Sequence, residues 1–151
     1  MAYLEDAYAL FTVPIFRNSI KEEQRNPKKI YAVDNGFKKM YDYAISEDKS
    51  KLYENIAFLH LRRRTKNIYY YKGTQEVDFY AKLDEKEVLV NISYEIKDEK
   101  TRKREVNGLI EAMDYFHLQE SYLITQDEKE TLEIEGKNIF ILPMVEWLLP
   151  I

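Results

Sequence analysis

Hydrophobic and polar positions follow two different periods along this chain, and the switches between them mark out its elements. In residues 2–10 the apolar positions Tyr3, Leu4, Ala7, Tyr8 and Leu10 fall at helical spacing and predict a short helix. Residues 11–16 (FTVPIF) alternate like a strand. Pro14, which has no N–H to give a ladder, marks that strand as an edge or a bend. Residues 17–29 are polar and contain the turn pair Asn26-Pro27. Residues 29–33 (KIYAV) read as a second short strand, closed by Asp34-Asn35-Gly36. Residues 1–35 therefore read as an N-terminal helix-hairpin appendage with a long polar tip. That unit is too small to bury a core alone, so it must pack on the rest of the chain.

The remainder, residues 36–151, reads as the main domain. A helix is expected over 37–45. Ser50 is placed to cap a longer one over 51–64, with Leu52, Tyr53, Ile56, Leu59 and Leu61 on its apolar side. The period then changes to two. Residues 67–72 (NIYYYK), 76–83 (EVDFYAKL) and 87–95 (EVLVNISYE) read as strands, with Gly73-Thr74 and Asp84-Glu85-Lys86 as turns between them. Asp98 or Thr101 caps the next helix, at about 102–117, where Val106, Leu109, Ile110, Met113 and Phe116 form an amphipathic stripe. Residues 122–125 (YLIT) and 138–142 (NIFIL) give a fourth and a fifth strand, and Pro143 opens a short last helix containing Trp147. The order α-β-β-β-α-β-β-α predicts an α/β (α+β) fold, a mixed sheet flanked by helices.

Composition narrows the chemistry. The 151 residues are 45% hydrophobic and 33% charged, enough apolar material for one real core. No apolar run approaches the roughly 20 residues that span a bilayer, so no membrane partner is expected. The start of the chain carries Glu5 and Asp6 and no basic segment, which is not the pattern of a secretory signal. The absence of cysteine excludes disulfides, thiolate metal sites and cysteine nucleophiles, and fits a cytoplasmic location. With His60 and His117 as the two histidines, a histidine-based zinc site is not expected. The net charge of −4 requires any nucleic-acid contact to use a local basic patch. Two runs offer one: Arg62, Arg63, Arg64 and Lys66 after the first long helix, and Lys100, Arg102, Lys103 and Arg104 at the start of the next. The first run also suits a helix C-terminus, where cations are favoured; the second stands where the helix dipole disfavours them.

The informative positions lie on the second and third predicted strands. Asp78 interrupts an apolar strand, and by strict alternation residues 76, 78 and 80 share a face. Asn91 and Ser93 share a face of the next strand, with Val88, Val90 and Ile92 on the other. A carboxylate at a strand bend beside a second oxygen donor can bind Mg²⁺, and Glu54 on the preceding helix could add a third oxygen. Such an ion would activate water and stabilise a phosphoryl oxyanion.

Together GTQEVDF, the apolar strand after it and the α-β-β-β-α-β order resemble the restriction-endonuclease-like PD-(D/E)xK fold. The pieces YENIAFLHLRRR, IYYYKGTQEVDF, VNISYEI, TRKREVNGLIEAM and ILPMVEWLLP resemble one group within it, the C-terminal domain of unknown function of archaeal and bacterial AAA-type ATPases. The segment YLEDAYALFTVPIF followed by NPKKIYAVDNGF looks like the end of the winged-helix linker in those ATPases, and no GxxxxGK[ST] pattern is present, so the ATPase module is expected to be absent from this chain. The resemblance implies a metal-binding role for Asp78 and Glu54, with Mg²⁺ as the cofactor. It also implies departures. Asn91 stands where an acidic residue is expected, and Ser93 where the lysine is expected. Glu95 and Lys97 spell E-x-K two residues further on. In the same element, Thr101, Arg102 and Glu105 match a T-x-x-RE-like latch.

Three functions follow as expectations. The first is a degenerate, non-catalytic nuclease-like domain of an ATPase that binds DNA or a protein partner such as the ATPase module. The second is an active Mg²⁺-dependent DNA endonuclease using Glu54, Asp78 and a migrated Glu95/Lys97 pair. The third is a structural or oligomerisation module, in which Asp78 only accepts hydrogen bonds from a neighbouring turn.

Overall fold

A computed structural model describes residues 10–34 and 49–149. The expected helix over 37–45 lies outside the described residues, as does the one over 2–10 except for Leu10, which opens a strand. In chain order the elements are β1 (Leu10–Val13), α1 (Ile20–Arg25), β2 (Lys29–Ala32), α2 (Lys49–Arg62), β3 (Ile68–Lys72), β4 (Glu76–Lys82), β5 (Glu87–Ile92), α3 (Glu99–Phe116), β6 (Glu120–Thr125), β7 (Glu130–Ile134), β8 (Lys137–Pro143) and α4 (Met144–Leu148).

A six-stranded mixed sheet, ordered β3-β4-β5-β6-β8-β7, carries helices on both faces, and β1 and β2 form a separate antiparallel pair. The first three strands of the large sheet meander antiparallel, as short turns require. The chain then crosses over through α3, which makes β5, β6 and β8 parallel. The strand β7 adds an antiparallel edge that the sequence did not announce. Its pattern ETLEI leaves Leu132 and Ile134 only half-buried, so its alternation is faint. The turn after it is legible in retrospect: Glu135 and Gly136 sit at φ 53° and 76°, the left-handed pair that a two-residue hairpin turn needs.

Each sheet face has its own apolar cluster. On the side of α2 and α4, Phe58 and Leu61 of α2 pack on Ile68, Tyr70, Phe79, Val90 and Ile124. On the other face Val106, Leu109, Ala112 and Met113 of α3 pack on Val77, Tyr80, Leu89, Leu123 and Ile139. Leu109, Ala112 and Met113 have no exposed surface, and each large apolar side chain buried this way stabilises the fold by about 1.5–3 kcal/mol. Asp98 caps α3 by accepting the Thr101 N–H at 2.8 Å, and His117 ends it in the left-handed conformation, φ 57°.

The β1–β2 hairpin shares the core of the larger sheet. Val13, Ile15 and Tyr31 are buried in the cluster that holds Phe58 and Phe79, and the Tyr31 ring stacks on Phe58 at 4.5 Å. At Pro14 the chain leaves β2, and Ile15 pairs instead with Tyr70 at the outer edge of β3. The Asn55 amide of α2 closes the other side, accepting from the Ala32 N–H at 2.8 Å and donating to the Ala32 carbonyl at 3.1 Å. The tip is not merely polar loop, since residues 20–25 form α1, which has no buried residue and hence no apolar stripe to betray it.

Candidate functional site

One irregularity in the sheet creates the site. The β3–β4 register runs Ile68↔Ala81 and Tyr69↔Tyr80, then shifts to Tyr71↔Val77 and Lys72↔Glu76. Two residues of β4, Asp78 and Phe79, therefore stand opposite the single Tyr70, which is a β-bulge. Strict alternation would have grouped residues 76, 78 and 80. The bulge corrects that grouping: Tyr80 belongs to the α3 side, while Glu76 and Asp78 turn to the side of β2 and α2. At the same point the β4–β5 ladder ends, at Phe79↔Val90. Side chains then stand in for the missing rungs. Asp78 Oδ2 accepts the Ile92 N–H at 2.9 Å, and Asn91 Oδ1 accepts the Asp78 N–H at 3.0 Å.

Into this bend β2 delivers Lys29. Its Nζ lies 2.8 Å from Asp78 Oδ1, 2.8 Å from Glu76 Oε1 and 3.0 Å from Glu54 Oε1. Tyr31, two residues on and so on the same face of β2, donates its hydroxyl to Glu54 Oε1 at 2.6 Å. Burial pulls the Lys29 pKa down, but the Asp78 and Glu54 charges and the bonds to Asp78 and Glu76 outweigh it, so the ammonium is held well above the usual lysine range. Burial pushes the Asp78 carboxyl up to about 6, with the Glu54 charge adding to the rise and Lys29 and the Ile92 N–H opposing it. Burial and Glu54 together hold the Tyr31 phenol far above its ordinary value.

Asp78 and Glu54, the two metal ligands expected from sequence, are thus brought together, with Glu76 as an unforeseen third carboxylate. They converge on an ammonium. All three carboxylates spend an oxygen on one nitrogen at the centre of the cluster, where a divalent ion would have to sit to bridge them. Mg²⁺ and Lys29 exclude each other there, and among the described residues no group of three or more His, Cys, Asp and Glu side chains is placed to hold a metal ion. The residues as arranged do not fit Mg²⁺.

The other expected positions lie elsewhere. Asn91 is buried and points to the α3 side, donating its Nδ2 to Glu105 Oε2 at 2.6 Å. Ser93 is buried and donates to the Glu95 carbonyl at 3.0 Å. The strand β5 stops at Ile92, so Glu95 and Lys97 follow it on an irregular segment, both exposed and outside the carboxylate cluster. Of the T-x-x-RE element, Glu105 is the working latch, held on its other oxygen by Arg104 Nε at 3.0 Å.

The basic runs are surface features. Arg63, Arg64 and Lys66 are exposed beyond α2, while Arg62 covers the Phe11 ring at 5.2 Å. On α3, Arg102 pairs with Glu130 and Arg104 with Glu105, leaving Lys100 and Lys103 exposed to solvent.

Sequence reasoning missed Lys29, Tyr31 and Glu76. Lys29 and Tyr31 had one available signal, their alternation in a strand otherwise read as connector. Glu76 was in view on the same face as Asp78, but nothing in sequence foretold the cation on which both converge.

No family model matches the chain, and no solved structure matches it. The chain is similar to an uncharacterized protein of Methanocaldococcus jannaschii, with 31% identity over 160 residues. That match covers 99% of this chain and 35% of the relative, so the chain spans about a third of the length of the curated protein it matches.

Proposed function

We propose that this chain is a non-catalytic nuclease-like domain that works with an AAA-type ATPase in the cytoplasm and binds nucleic acid. One observation carries the reading: Lys29 Nζ sits within 3.0 Å of the Glu54, Glu76 and Asp78 carboxylates and occupies the point on which they converge. Phosphodiester hydrolysis by metal needs carboxylates free to hold the ion and a group that positions the attacking water. Here the carboxylates are engaged, and the two positions that would complete the pattern are spent on structure. Asn91 ties β4 to α3, and Ser93 closes a turn. The bend, the helix carrying Glu54 and the strand carrying Asp78 are kept while the chemistry is replaced, which supports descent from a nuclease put to binding. The relative's greater length supports a domain that operates beside a larger module.

The test is a supercoiled-plasmid nicking assay with Mg²⁺ and Mn²⁺, run beside calorimetric titration of the same ions. The expected result is no nicking above a buffer control and no saturable ion binding at millimolar concentration. Metal-dependent nicking that is lost in Asp78→Ala would overturn the reading.

A further inference from the structure

The molecule has a basic pocket that neither run of arginines and lysines in the sequence announced. It encloses about 460 Å³ beside the carboxylate cluster, between the hairpin tip and the outer edge of β3. Four cations line it: Arg17, Lys28, Lys29 and Lys72. Lys29 is answered by its three carboxylates, one of which, Glu76, is the pocket's one anionic side chain. Arg17, Lys28 and Lys72 have no ion-pair partner among the described residues. Three uncompensated cations around one concavity, in a chain of net charge −4, are not a solvated face of average composition. Pro27 adds exposed apolar surface to the lining and is held by the Tyr70 hydroxyl, which donates to its carbonyl at 2.7 Å; Ile15 and the Tyr70 ring lie buried beneath.

We infer that this pocket binds one phosphate-bearing nucleotide unit of a single-stranded nucleic acid, with Arg17, Lys28 and Lys72 on the phosphate and the exposed Pro27 ring against the sugar or base. The inference rests on the nucleic-acid reading above and gives it a place. Size and shape favour a strand over a duplex, because the volume lies within the roughly 300–1,000 Å³ of small-ligand sites and is concave. A cluster of cations in a groove is one part of how single strands are held along their backbone without sequence preference. Lys29 offsets one of the three carboxylate charges beside the pocket, and Arg17, Lys28 and Lys72 outnumber the one carboxylate, Glu76, that lines it.

Fluorescence anisotropy of a short labelled oligodeoxythymidylate, over a range of salt, tests this. The double reversal Lys28→Glu/Lys72→Glu is expected to weaken binding roughly tenfold or more and to lower the log–log salt slope by about 0.7, the value for one lost phosphate contact on a single strand. Both residues are exposed, and an unchanged far-UV circular dichroism spectrum, with the neutral pair Lys28→Met/Lys72→Met alongside, separates lost binding from lost fold. Lys100→Glu/Lys103→Glu is expected to leave binding within about twofold. Thymidine monophosphate should displace the strand and thymidine should not; equal displacement by both would overturn the phosphate assignment. If only the Lys100/Lys103 reversal abolishes binding, the pocket is refuted and the nucleic-acid reading stands. If the native chain binds neither single strand nor duplex, that reading falls and the pocket falls with it.

Discussion

Replacing Lys29 with methionine keeps a four-atom stem and removes the ammonium from among three carboxylates. The side chains of Lys29, Glu54 and Asp78 are 21%, 22% and 15% exposed, so water cannot fully take over the lost contacts. Removing one partner of a buried pair costs about 3–5 kcal/mol, because the remaining charge is stranded. Glu76 is 41% exposed and screened, so its share is small, and a total near 3 kcal/mol at about pH 8 is expected. The loss must depend on pH. Asp78 has a folded pKa of about 6 against an ordinary 3.8, so between those values the folded chain binds the extra proton. Its contribution to stability is therefore greatest below 3.8 and falls as pH rises through about 6. Lys29 is one of the groups restraining that rise, so in Lys29→Met the upper end of the window moves up and the carboxyl is neutral over more of the range. Urea unfolding of both chains at about pH 5 and about pH 8 reads this directly. The deficit of the variant should shrink by at least half at the lower pH, where Asp78 no longer needs a counter-ion. A deficit under about 1 kcal/mol, the value of an ordinary surface pair, would refute the reasoning, as would a deficit equal at both pH values.

Three further outcomes are expected. Asn91→Ala should cost about 2–3 kcal/mol in the same unfolding measurement, since it strands the Asp78 N–H and leaves Glu105 Oε2 without its donor. Tyr31→Phe should cost about 1.5–3 kcal/mol through the lost bond to Glu54, and markedly less when made in a Glu54→Gln background, which a double-mutant cycle measures. Glu95→Gln/Lys97→Met should shift stability by no more than about 0.5 kcal/mol, because both residues are exposed and neither reaches the cluster; a larger loss would mean that the segment after β5 is part of the site.

Most of the architecture was legible because its burial is periodic. The stripe from Val106 to Phe116 and the alternation in β3, β4 and β5 each announce which face is covered, and the sheet follows from their order. What escaped had no such signature. The strand β7 is an edge with one lightly covered face, and α1 buries nothing. The site was half legible. Asp78 and Glu54 stand out as carboxylates in apolar settings, but the cation that answers them comes from a segment 25 and 49 residues earlier, a separation no local pattern encodes. Asn91 and Ser93 were singled out through the resemblance as standing where an acidic residue and a lysine are expected, and the duties they perform in the fold depend on where β5 ends.

The bulge opposite Tyr70 has a consequence for how the cluster is written into the chain. On either side of it β3 and β4 pair in a regular register, offset by one position. Were β4 one residue shorter at Asp78, the hairpin would close in a single uninterrupted frame, and Val77, Phe79, Tyr80 and Ala81 would each keep the face they now occupy. The sheet does not need the extra residue. The carboxylate cluster does, because only an added residue can turn a side chain toward β2 without flipping its neighbours. The length of β4 therefore carries information that its composition does not. Of two chains otherwise alike at every apolar position, the one lacking that residue would keep the fold and lose the cluster.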